Sequence, residues 1–113
     1  MITSKELPIL TFESAQELRT WLIENHAQND GIWIRIYKKD IDVKSVISEE
    51  VLDEGLCFGW SESIRRKDDD KSYLQKFTPR RKKGTTSKRY TEHIQQLIKE
   101  KKMTPAGLKV LEL

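Results

Sequence analysis

The sequence has one cysteine, two histidines and three prolines in 113 residues. A lone cysteine excludes a disulfide framework within the chain and leaves thiolate zinc sites short of ligands. No apolar run approaches the roughly 20 residues of a membrane span, so no membrane insertion is expected. Met1 to Glu6 lack the apolar stretch of a signal peptide, which points to a soluble, cytoplasmic chain. The five glycines form no phosphate loop, dinucleotide fingerprint or nucleophile elbow, so no cofactor is implied. Large apolar residues are not scarce: Leu, Ile, Val and Phe number 11, 11, 4 and 3. Disordered chains hold less than about 20% of these types, so one folded domain over residues 1–113 is expected.

Charge is abundant and unevenly placed. Residues 1–62 carry 6 Lys or Arg against 12 Asp or Glu, and residues 63–113 carry 15 against 6. A net charge of only +3 therefore hides halves of −6 and +9. The split fits two complementary faces, a side turned toward a polyanion, or a blocky but solvated surface.

The hydrophobic periods predict eight elements. Ile9 to Phe12 reads as an edge strand. Ser14 and Glu17 have the spacing of a capping box before a helix carrying Leu18, Trp21 and Leu22 to about His26. Asn29-Asp30-Gly31 supplies the turn into Ile32, Ile34 and Ile36, which alternate with Trp33, Arg35 and Tyr37 as a strand. Ser48 is expected to cap a second helix with Val51, Leu52 and Leu56 inside and Gly59 at its end. Gly55, in its interior, implies a close helix–sheet approach. Trp60 to Arg66 and Ser72 to Thr78 read as a hairpin around the solvated Lys67–Lys71 loop, with Pro79 stopping the second strand. A helix from about Ser87 shows Tyr90, Ile94, Leu97, Ile98 and Lys101 on one stripe. Thr104-Pro105 opens a last helix with Leu108 and Leu111 inward. The order β-α-β-α-β-β-α-α predicts a two-layer α+β fold, a small, largely antiparallel sheet with helices packed on one face. Leu22, Ile34, Leu56 and Leu97 should all be buried.

Few residues suggest chemistry. Cys57 lies near a helix C-terminus, where carbonyls raise a thiol pKa, and is expected to be buried and inert. His26 and His93 have no motif around them, and Asp68-Asp69-Asp70 lacks the spacing of a calcium loop. One segment stands out. Tyr73, Gln75 and Phe77 share one face of a strand that runs into Arg80-Arg81-Lys82-Lys83. Ser87, Lys88 and Arg89 follow at a helix start, whose free N–H groups favour anions. With Trp60, these residues form a candidate anion-binding site, since aromatics beside cations hold single-stranded nucleic acid. The same pattern also fits a core strand followed by a solvated basic loop.

The blocks Gly55-Leu56-Cys57-Phe58-Gly59-Trp60, Tyr73 to Arg81, Ser87-Lys88 and Met103 to Leu108, with Trp33 and Lys38-Lys39, resemble the bacterial bacteriocin-protection family, also called YdeI/OmpD-associated. At the superfamily level the resemblance is to small α+β domains of the YjbR/CyaY type. It implies an α+β domain with no assigned catalytic residues. Relatives carry Ile-Asp-Gly where this chain has Ser61-Glu62-Ser63, and an aromatic near Thr86 that is missing here. Many also continue into a further C-terminal helical segment. The expectation is a non-enzymatic cytoplasmic protein binding an anionic ligand or protein partner through its basic segment. A nucleic-acid-binding domain and an enzyme acting on a small phosphorylated or carboxylated substrate are the alternatives.

Overall fold

In the computed structural model of the chain, residues 7–80 and 88–110 are described, Lys88, Arg89 and Tyr90 as backbone. The elements are β1 (Ile9–Leu10), α1 (Ala15–Asn25), β2 (Ile32–Tyr37), α2 (Ser48–Phe58), β3 (Trp60–Lys67), β4 (Ser72–Pro79), α3 (Lys88–Lys99) and α4 (Pro105–Val110). They follow the expected order and form a small α+β fold. The sheet runs β1-β2-β4-β3. β1 pairs parallel with β2, which α1 permits as the crossover, and the other two pairings are antiparallel. Among the described residues no helix is long and apolar enough to cross a membrane.

Local chemistry explains most boundaries. Ser14 Oγ accepts from Glu17 N at 3.3 Å, and the Glu17 carboxylate accepts from Glu13 N at 3.0 Å, so α1 begins as its spacing predicts. α2 differs: its cap is Ile47, not Ser48. The Glu50 carboxylate reaches back to Ile47 N at 3.0 Å and satisfies that donor without a hydroxyl. Ser48 Oγ instead accepts from Arg65 at 2.8 Å. Gly59 ends α2 at φ 76°, a left-handed conformation open to glycine. A Cβ on Gly55 would stand 2.8 Å from the Trp60 carbonyl oxygen, which is the close approach expected there.

The Lys67–Lys71 loop is solvated as expected, with Lys67, Asp69, Asp70 and Lys71 exposed, and Asp69 Oδ1 shapes its turn by accepting from Lys71 N and Ser72 N at 2.8 and 2.9 Å. β4 ends at Pro79, which pairs opposite Trp60, and Arg80 N then donates to Gly59 O at 2.8 Å. One further expectation needs correction. Ile98 is 46% exposed, since α3 buries only the narrower stripe of Ile94 and Leu97. Leu111 lies outside the described residues.

Leu22, Ile34, Leu56 and Leu97 are all buried, as their periods predict. Ile32, Ile34 and Ile36 point at the helices, and their β4 partners Phe77, Gln75 and Tyr73 lie on the same side. Trp60 packs between Trp21 and Phe77, with ring centroids at 5.6 and 5.0 Å. Two buried hydrophobics, Trp33 and Leu74, stand apart from this cluster. Strand alternation places them on the other face of the sheet.

Candidate anion-binding face

That second face is built from alternate residues of three strands. β2 contributes Trp33, Arg35 and Tyr37, and β4 contributes Leu74 and Lys76. In register, Trp33 is opposite Lys76, while Leu74 is flanked by Arg35 and Arg66. Arg66 reaches this side because of a bulge. Trp60, Ser61 and Glu62 pair with Pro79, Thr78 and Phe77, but Arg65 and Arg66 then pair with Gln75 and Leu74, one residue late. One inserted residue reverses which way each following side chain points. Without it, Arg66 would face the helices.

The outcome is a cationic platform. The Arg66 guanidinium lies over the Trp33 ring at 4.6 Å, and Lys76 Nζ stands 6.0 Å from the same centroid. Trp33 is only 8% exposed, so the cations and their apolar stems form the outer surface above it. Arg35 differs because Asp68 Oδ2 accepts from its Nε at 2.7 Å. That carboxylate raises the Arg35 pKa, while the Ser72 hydroxyl and then Arg35 hold Asp68 below its usual range. Among the described residues, neither Arg66 nor Lys76 has a carboxylate partner within salt-bridge distance.

The residues singled out from sequence are placed differently. Trp60, Gln75 and Phe77 are buried at 1%, 1% and 0% exposure, on the helix side. Their alternation is as expected, but their shared face is the core face, so they cannot meet a ligand from solvent. Gln75 is internally satisfied, donating to the carbonyls of Ile64 and Lys76 and accepting from Arg65 Nε at 3.0 Å. Tyr73 is half-buried beneath Arg65, 4.9 Å away. Arg80 is half-buried where β4 ends. Arg81, Lys82, Lys83 and Ser87 lie outside the described residues, and Lys88 and Arg89 are placed only as the first backbone turn of α3.

A second polar arrangement lies between α1, α2 and α3. His93 Nδ1 donates to Asp53 Oδ1 at 2.7 Å, and its Nε2 is 3.9 Å from Glu49 Oε1. His93 and Asp53 border a cavity of about 440 Å³ that Glu50, Glu54, Gln96, Glu100 and Lys102 also line. The dyad joins residues 40 positions apart, so no sequence motif announces it. Glu49 and Asp53, one helical turn apart, are its only local sign. Among the described residues no three His, Cys, Asp or Glu side chains are grouped to hold a metal ion. Burial pushes the Cys57 thiol up to about 11 against the pull of Arg19, so it is protonated and a poor nucleophile.

The model of one family, described as a domain of unknown function (DUF8412), matches residues 10–110. The chain belongs to that family. No curated protein and no solved structure matches it. The DUF8412 match begins in β1 and ends with α4, so it takes in both the cationic face and the His93 cleft.

Proposed function

We propose that this domain is a non-enzymatic binding module that docks an anionic partner on the face of its sheet opposite the described helices. The observation that carries the reading is the convergence of Arg66 and Lys76 on Trp33. Two cations held close on an apolar ring repel one another, and an anion bridging them relieves that repulsion. The +9 balance of residues 63–113 supports the same reading. So does chain order, because β4 runs straight into Arg80-Arg81-Lys82-Lys83. A bacterial, cytoplasmic protein of the bacteriocin-protection type is the setting implied by the resemblance of the sequence blocks.

Retention on heparin tests it. The double variant Arg66→Ala, Lys76→Ala should elute at lower salt than the wild type and keep a similar melting temperature. Equal elution would remove the sheet face from the reading. The alternative of an enzyme acting on a phosphorylated or carboxylated substrate draws less support from the His93–Asp53 pair, because Glu50, Asp53, Glu54 and Glu100 line the cavity beside it against a single cation, Lys102.

A further inference from the structure

We infer that the anionic partner is single-stranded nucleic acid, with a base stacked on the Arg66 guanidinium and a phosphate near Lys76. The inference rests on reading the sheet face as an anion-binding surface. Charge alone would need no aromatic beneath it, and cations on loops would serve a sulfated sugar or a lipid headgroup equally well. Here the bulge in β3 turns Arg66 over the one tryptophan of this face. A guanidinium carried on an indole is a flat cationic plane, the kind of surface on which unpaired bases stack. Tyr37 lies on the same face of β2, four residues beyond Trp33, and is half-buried. The face thus carries a second ring beyond the Arg66 and Lys76 cations, with Arg35 between them paired to Asp68, and rings beside cations suit a chain of bases and phosphates. Duplex DNA is the poorer fit, because its major groove is read by an inserted helix or ribbon. The helices of this domain pack against the opposite side of the sheet.

The experiment compares three probes on the full chain: an oligothymidylate of about 12 nucleotides, a duplex of the same length, and heparin. Arg66→Lys keeps the charge and removes the plane. The wild type should prefer the single strand to the duplex. Arg66→Lys should lower the ratio of oligothymidylate to heparin affinity by about tenfold, the loss expected for one stacked base. Trp33→Phe, which retains a smaller ring, should lower it less. Heparin binding with an unchanged ratio, or equal affinity for duplex and single strand, would overturn the inference while leaving the anion-binding face intact. Binding to none of the three probes would overturn both.

Discussion

Arg19 on α1 and Glu54 on α2 meet at 3.0 Å, with side chains 24% and 9% exposed. The same guanidinium donates to the Lys102 carbonyl at 2.7 Å and lies over the Phe58 ring at 5.1 Å. One side chain therefore joins α1, α2 and the connection from α3 to α4. Burial raises the Glu54 pKa, and Arg19 offsets part of that rise.

Truncating Arg19 to Ala should cost about 3 kcal/mol at pH 7, because it strands a buried carboxylate. The pH dependence has a definite sign. A carboxyl whose folded pKa lies above its unfolded value binds its proton more readily in the native state. Its contribution is therefore most favourable at low pH and falls as pH rises from the unfolded value near 4.3 through the folded one. Removing Arg19 raises Glu54 further and widens that window. Urea unfolding at pH 7 and pH 5 should show the Arg19→Ala deficit shrinking at the lower pH. Adding Glu54→Gln should recover part of the loss at pH 7. A deficit of the same size at both pH values would mean Glu54 is not the stranded group.

Gly107 holds α4 against the end of α2. A Cβ there would collide with the carbonyl oxygens of Cys57 and Leu56, both backbone atoms that cannot swing aside. A Gly→Ala change inside a helix ordinarily stabilises by up to about 1 kcal/mol. Gly107→Ala should reverse that sign and destabilise by about 1–3 kcal/mol through overpacking. Thermal melts of Gly107→Ala beside Ala106→Gly would separate overpacking from helix propensity. A stabilised Gly107→Ala would show that α4 docks more loosely than the structure has it.

Local rules carried far in this chain, and pairing between distant segments carried what they could not. Ser14, Gly59 and Thr104 mark helix ends through their own side chains or backbone freedom, so their roles were legible one residue at a time. Ile32, Ile34 and Ile36 declared a buried face by alternation alone. The face of β4 was harder, since Tyr73-Gln75-Phe77 reads equally well as a core strand or a binding strand until its neighbours are known. β4 pairs with β2 in the register that sets Phe77, Gln75 and Tyr73 opposite Ile32, Ile34 and Ile36, and that register turns its aromatics inward. The side on which Arg66 emerges depends on one extra residue after Glu62, which leaves no mark in composition. His93 and Asp53 meet only because α3 packs on α2, a contact between parts of the chain far apart in sequence.

Cys57 is fully buried, and its thiol pKa lies near 11. Native protein at pH 8 should therefore react with a thiol-specific disulfide reagent at least about 100-fold more slowly than unfolded protein. The slow native rate should follow global unfolding and speed up with mild denaturant. Prompt labelling of the folded chain would mean that the α2–α4 junction opens on its own.

The turn joining β3 to β4 gives the opposite pH sign from Glu54. Ser72 Oγ stands 2.7 Å from Asp68 Oδ2 and 3.0 Å from Asp69 Oδ1, shared between the two carboxylates. The Ser72 hydroxyl and Arg35 lower the pKa of Asp68, and the Lys71 N–H and Ser72 hydroxyl lower that of Asp69. A carboxyl lowered in the folded state contributes stability that is fully present above its unfolded value, near 3.9, and lost as pH falls through the folded one. Ser72 is itself 1% exposed, so its hydroxyl is held between these acceptors rather than in solvent. Ser72→Ala should lower the melting temperature at pH 7 and flatten its fall below pH 4, because less stability then remains to be lost on protonation. Asp68→Asn should flatten the same limb and also release Arg35. With Asp68 neutralised, the cationic face gains one uncompensated charge, so the variant should elute from heparin at higher salt than the wild type. A parallel fall of wild type and Ser72→Ala below pH 4 would show that the turn takes no part in acid unfolding.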